Sequence, residues 1–237
     1  MTEKELRNKY VATAESFAGA VRGDARHKQI IDTYNSVTPH PRGYAMTYSA
    51  DWCATTVSAV AILCGMLDIF AFECSCTKQI EQWRANGRWI EDDAYVPQAG
   101  DIIYYDWSDG ADYATTDAKY VDHVGIVVSC DGKTIKVIEG NMSGGKVGYR
   151  TIAVNGRYIR GFAVPDYKRM AVEPAFTDIA GNVHRVAIEN AYKLGIVGGY
   201  ADGTFRPNEQ ITRGAAAAMI MRAVDVVLKE VERRINK

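Results

Sequence analysis

The hydrophobic period of this chain changes twice, and the three stretches this creates cannot share one kind of secondary structure. From Glu3 to about Gly19, Leu6, Tyr10, Val11, Ala14 and Phe17 recur at helical spacing, which predicts an amphipathic first helix. The run DWCATTVSAVAILCGM is continuously apolar after Thr56 and too long for a strand, so it reads as a buried helix with Cys53 at or just before its amino terminus. Ahead of it, residues 36–49 hold two prolines and a glycine among polar residues, a loop by composition. Beyond a polar and aromatic middle the period becomes two: AGDIIYY, DHVGIVVS, KTIKVIEG and YIRGFAVP are short β-rich runs parted by turn signals such as Cys130-Asp131-Gly132. They predict a meander of about four antiparallel strands. Helices first and a sheet afterwards make an α+β architecture. From Phe176 two helical patterns flank the turn-rich GGYADGTFRPNEQITRG. Val183, Val186, Ala187, Ala191 and Leu194 line one face of the first; Met219, Ile220, Val224, Val227, Leu228 and Val231 line one face of the second. The expected organisation is a domain over 1–167, a linker over 168–175 and a small all-α module over 176–237. A module of about 55 residues is short for independent stability, so it should lean on the first domain, a sister copy or another chain.

Composition narrows the function classes. With 47% hydrophobic and 24% charged residues the chain is ordinary globular protein. Lys and Arg number nine against eight Asp and Glu from Met170 onward, and 19 against 21 before it. Neither part has the basic footprint of a nucleic-acid binder. The start, MTEKELRNKY, carries charges where a signal peptide needs an apolar run, and no stretch of roughly 18 apolar residues occurs. The expectation is a protein made in the cytoplasm without a signal peptide and without membrane insertion. Five cysteines, an odd count, argue against a disulfide framework and leave at least one free thiol.

A cysteine is a nucleophile only as thiolate, and a helix amino terminus with a nearby imidazole is the usual way to lower its pKa. Cys53 meets the first condition by position. Cys64 lies within the same apolar helix, Cys130 in a predicted hairpin turn, and Cys74 with Cys76 form a CSC pair lacking a second ligand pair. His123 opens an apolar strand in VDHVGIVV, where an unpaired core histidine is disfavoured. A third group should orient its ring, and the following strand offers Glu139 and its period-two neighbour Asn141, either of which fits. His27, His40 and His184 stand in polar segments and are expected to be solvated.

Cysteine, histidine, then an acid or amide on the next strand is the order of papain-like enzymes. The set Tyr34-Asn35, DWCA from Asp51, AGDIIYYD from Ala99, DHVGIV from Asp122 and IEGN from Ile138 resembles the CHAP family of amidohydrolases and peptidases, over about residues 4 to 167. The resemblance implies a papain-like fold and a peptidoglycan hydrolase, either an N-acetylmuramoyl-L-alanine amidase or an endopeptidase of stem or cross-bridge peptides. It carries over Cys53 as nucleophile, His123 as general base and then acid, and Glu139 as the residue orienting His123, with Asn141 close by. Asp51 or Trp52 would join the Cys53 N–H at the oxyanion. No cofactor is implied. Some relatives hold calcium in an Asp-rich loop before this helix; RGYAMTYSAD has one Asp, so no metal is expected there. Tyr48, Trp52 and Trp107, with Tyr44, Trp83, Trp89, Tyr104 and Tyr105, either line a substrate groove or fill the core.

The tail, FTDIAGNVHRVAIENAYKLGIVGGYADGTFRPNEQITRGAAAAMIMRAV, is similar to an S-layer homology (SLH) repeat. Asp202-Gly203 reads as a turn, Pro207 as the end of an extended piece and Thr212 as the cap of the second helix. The resemblance implies binding to a secondary cell-wall polymer, with Arg213 and Asp202 as the candidate ligands. The motif here is Thr212-Arg213-Gly214-Ala215, with alanine where a glutamate is usual, and the first helix lacks its usual tryptophan, so packing and oligomerisation are the alternative role. SLH repeats usually act in threes; one copy per chain suggests a homotrimer or other homo-oligomer. The combined expectation is an endolysin or autolysin that reaches the wall through holin-type lesions. The alternatives are a non-catalytic wall-binding protein and a papain-like amidase or deamidase effector.

Overall fold

Helix α1 (Glu3–Glu15) starts on a reciprocal cap: Thr2 Oγ1 accepts from the Glu5 N–H, and the Glu5 carboxylate accepts from the Thr2 N–H at 2.8 Å. Helix α2 (Ala25–Asn35), which the sequence patterns did not reveal, is capped by Asp24, whose carboxylate accepts from the His27 N–H at 2.7 Å. The computed structural model describes residues 1–107, 121–171 and 175–235, and the chain divides into two units, Thr2–Ala171 and Val172–Lys237.

In the first unit, α3 (Cys53–Cys64) is buried on nearly every side, as its unbroken apolar run predicts, and it stops at Gly65 with φ +68°. After α4 (Cys76–Ala85) come β1 (Trp89–Ile90), β2 (Ile102–Tyr105), β3 (His123–Cys130), β4 (Thr134–Met142), β5 (Lys146–Ala153) and β6 (Ile159–Ala163). They form one antiparallel sheet in the order β1-β6-β2-β3-β4-β5. The expected meander is therefore incomplete: β6 folds back beside β2, and β5, with alternate residues turned to solvent, forms an edge that no apolar run announces. Period-two alternation gives the sheet two apolar faces. Ile102, Tyr104, Val124, Ile126 and Ile138 join the main core with the residues of α1, α2 and α3; Ile103, Tyr105, Val127, Ile135, Val137 and Phe162 make a second cluster.

The approach of α3 to β4 is close. A Cβ at Gly140 would stand 2.0 Å from Thr56 Oγ1, so only glycine lets the helix lie there. Thr56 is itself fixed by a bond from its hydroxyl to the Trp52 carbonyl at 2.8 Å. Helix α5 (Tyr167–Met170) sits within the span expected to be linker, anchored by Tyr167, whose hydroxyl donates to the Gly100 carbonyl at 2.8 Å. Part of that linker, residues 172–174, lies outside the described residues.

The second unit contains α6 (Arg185–Lys193) and α7 (Arg213–Ile235). Its core is small: Phe176, Ile179 and Ile188, with Phe205 packed against them. The apolar faces predicted to be buried are the open ones. Val186 is 68% exposed and Val227 60%, and no residue of α7 is buried. The loop residues Phe176, Ile179 and Phe205 pack on Ile188, while α7 is tied to the loop by Arg222, which donates to the Ile196 carbonyl at 3.2 Å. Thr212 does cap α7, accepting from the Ala215 N–H at 3.1 Å. Among the described residues no helix is long and apolar enough to cross a membrane.

Candidate active site

Cys53 is the first residue of α3, where backbone N–H groups have no partner inside the helix and the dipole favours negative charge. Its sulfur lies 3.6 Å from that of Cys76, the first residue of α4, so two helix amino termini meet at one pair of thiols. The hydrogen bond from Cys76 pulls the Cys53 thiol down to about 5 against burial, with His123 and the Ala54 N–H adding to the effect. Cys76 moves the other way: its hydrogen bond to Cys53, burial and the Cys53 charge push its thiol up, so it keeps the proton and donates it.

His123 opens β3, directly opposite Tyr105 on β2. Its Nε2 faces Glu139 Oε2 at 3.1 Å, and Cys53 is the ring's other side-chain hydrogen-bond partner. Burial opposes charge on this ring, but Cys53 and Glu139 outweigh it and raise the imidazole to about 9. Both shifts favour a thiolate and an imidazolium over the neutral pair. Glu139 is fully enclosed; burial resists its charge, but hydrogen bonds from His123 and Arg150 hold it below the usual carboxylate range. Room for it comes from Gly125, where a Cβ would meet the Glu139 Cγ at 2.7 Å. Arg150 Nε donates to Glu139 Oε1 at 2.7 Å, and its guanidinium lies over Trp107, 4.9 Å from the ring centroid.

Of the two orienting candidates the structure thus brings Glu139 to the histidine. Asn141, at φ +55°, donates to Asp51 Oδ1 at 3.0 Å and accepts from Arg22 at 2.9 Å. Arg22 also holds the Ser49 and Ala50 carbonyls at 2.7 and 2.8 Å, so these three residues tie down the chain that enters α3. Trp107 stacks on Tyr105 at 4.9 Å, stands 6.0 Å from the His123 ring and is 39% exposed, on the accessible side of the site. Tyr48 is also exposed, its hydroxyl donating to Asp32. Trp52 does not join them: it is wholly buried, 4.7 Å from His27, and is a core residue, as are Trp83, Tyr104 and Tyr105. His27, expected in solvent, is buried too, because the unforeseen α2 turns it inward and its Nδ1 accepts from the Gly23 N–H at 3.0 Å.

Three functional contacts escaped the sequence reading. The sequence presents Cys76 as half of a CSC pair without metal partners, yet Ser75 before it is a helix-cap signal that places its thiol as Cys53 is placed. Arg150 sits on the edge strand β5 that the patterns did not reveal. Arg22 carried no local signal; only the fold brings it to Asn141.

In the second unit, Asp202 is bonded to the Thr204 N–H and hydroxyl and to Arg206, which draw its carboxyl down to about 2. Arg213 begins α7 and is exposed. Neither lines the unit's cavity of ≈ 470 Å³ with walls that include Tyr200, Arg206, Glu209, Met219 and Arg222, nor a second one of ≈ 320 Å³ beside Asp178 and Pro207.

Comparison with known families matches the CHAP domain to residues 43–141, an interval that contains Cys53, His123, Glu139 and Asn141, and the S-layer homology domain to residues 175–217. No curated protein matches. Among solved structures the chain is similar to the crystal structure of Ly7917, at 16% identity and a TM-score of 0.38, over 67% of this chain and 62% of that one. The chain thus carries a CHAP domain, the cysteine- and histidine-dependent amidohydrolase/peptidase type, followed by an S-layer homology domain.

Proposed function

We propose that this protein is a peptidoglycan hydrolase that cleaves an amide bond of the bacterial wall through a thioester on Cys53. The observation that carries the reading is the buried Cys53–His123–Glu139 series at the start of α3, with the thiol drawn down to about 5 and the imidazole up to about 9. In this mechanism the thiolate attacks the amide carbonyl and forms the C–S bond, and the oxyanion faces the Cys53 N–H at the head of α3. His123 gives its proton to the departing amine, becomes the base that takes a proton from water, and that water breaks the thioester. Glu139, held by Arg150, keeps the ring oriented. Trp107 and Tyr48 offer exposed aromatic faces for peptide or glycan.

The second unit is proposed to give the wall address. A cavity of this unit, with Arg206, Arg222 and Glu209 in its walls, is the candidate place for a secondary wall polymer, since neither Arg213 nor Asp202 lines it. The open faces of α6 and α7 support the further proposal that three chains assemble through this unit. The decisive experiment is turbidity clearing of purified walls by the parent and by Cys53→Ala, with mass spectrometry of the released muropeptides. Clearing is expected to vanish in the variant, and equal clearing by both would remove the hydrolase reading. New amino termini on the stem alanine would identify an amidase; termini on bridge residues, an endopeptidase.

A further inference from the structure

The contact between Cys53 and Cys76 does more than hold a proton. Two sulfurs 3.6 Å apart touch at their van der Waals surfaces, and a disulfide needs about 2.05 Å, so bonding requires an approach of about 1.5 Å. Both residues are first in their helices, and the helices are tied together one turn further on: Gln79 Nε2 donates to the Ala54 carbonyl at 3.0 Å and its Oε1 accepts from the Tyr104 hydroxyl at 2.9 Å. The other thiols are engaged elsewhere. Cys64 bonds to Thr13 Oγ1 at 3.2 Å, Cys74 to Glu73 Oε1 at 3.4 Å, and Cys130 accepts from the Gly132 N–H at 3.4 Å.

We propose that Cys53 and Cys76 are a modification site, a thiol pair that peroxide converts to a reversible disulfide, with Cys53 as the thiol attacked first and Cys76 as the resolving thiol. The assignment of Cys53 as the reactive thiolate is shared with the proposed function. In the first step the Cys53 thiolate takes one oxygen from hydrogen peroxide: an S–O bond forms, the O–O bond breaks and hydroxide leaves. Hydroxide removes the Cys76 proton, giving water. The Cys76 sulfur then attacks Cys53, the S–S bond forms, and the S–O bond breaks with loss of hydroxide. The two sulfurs together lose two electrons and the peroxide gains them.

The order of events follows from the environment. Cys76 is held protonated by its hydrogen bond to Cys53, by burial and by the Cys53 charge, and the first and last of these are lost when Cys53 becomes a neutral sulfenic acid. The resolving thiol is thus released for attack when it is needed. The disulfide occupies the nucleophile and stops acyl transfer, but it also keeps Cys53 from the sulfinic acid that thiols do not reduce.

The full-length protein would be treated with a small excess of hydrogen peroxide, alkylated under denaturing conditions and peptide-mapped, in parallel with Cys76→Ser and Cys76→Ala. In the parent, the five thiols are expected to fall by two and a peptide linking Cys53 to Cys76 to appear. Wall-clearing activity, normalised to each sample's own untreated value, should return with dithiothreitol in the parent but only to on the order of a tenth in the variants, where Cys53 proceeds to sulfinic acid. Oxygen added to Cys53 of the parent without a linked peptide, or no oxidation at all, would overturn the proposal. So would equal recovery by the variants. The peptide map needs no hydrolytic activity, so it stands even if Cys53→Ala clears walls and the hydrolase reading falls.

Discussion

At the scale of single residues the site is a proton arrangement fixed by three neighbours. Cys76 donates to Cys53, Cys53 and Glu139 charge His123, and His123 with Arg150 keeps Glu139 ionised. The folded-state thiol is depressed, so its thiolate is lost as pH falls through about 5; the imidazole is raised, so its proton is lost as pH rises through about 9. The profile of kcat/KM against pH is expected to be a bell with limbs near those values. Removing the donor in Cys76→Ala takes away a hydrogen bond to a buried charge, about 1.5–3 kcal/mol, or roughly one to two pH units. The acid limb should therefore move upward by that amount while the alkaline limb stays. An acid limb that does not move would show that Cys76 has no hold on the nucleophile.

At the scale of elements, the meeting of α3 with β4 at Gly140 is what sets Cys53 against the sheet. An alanine there drives into Thr56, whose hydroxyl is bonded to the Trp52 carbonyl in the turn that starts the helix. Gly140→Ala is expected to cost about 1–3 kcal/mol, as overpacking does, and to lower activity with it. Thr56→Ala in the same chain should restore part of the lost Tm, and a melting curve of Gly140→Ala that coincides with the parent's would refute the close approach. The same junction marks what sequence could reveal. The unbroken apolar run that is α3 and the period-two runs of β2, β3, β4 and β6 were legible, because burial on many sides or on one face writes itself into residue spacing. The hairpin that returns Glu139 to His123 followed from a turn signal. Helix α2 and strand β5 were not legible: both are partly exposed, and their polar residues dilute the period. With them went the burial of His27 and the contact of Arg150. Cys76 was visible as a residue but not as a neighbour, since pairing of two helix ends is decided by tertiary packing.

At the scale of the whole molecule the unresolved demand is the apolar surface of the second unit. Its sequence pattern named the right residues for a covered face, and the fold leaves that face open: Val186, Leu194, Ile220, Val227 and Leu228 are each more than half exposed. Side chains of this kind gain up to about 1.5–3 kcal/mol each on full burial, so five on each chain supply on the order of 10 kcal/mol, the same order as the entropic cost of association. Burial of this face can therefore offset the cost of association, and the mass in solution reads the balance. Three chains rather than two are proposed because the SLH pattern, usually present in threes, occurs once here. Sedimentation equilibrium is expected to give three times the chain mass of 26.1 kDa. Val227→Asp and Leu228→Asp place charge in the shared surface and should return the protein to single chains without touching Cys53 or His123. A species of 26.1 kDa for the parent at high micromolar concentration would exclude assembly through α6 and α7, and the exposed face would then need a partner of different chemistry.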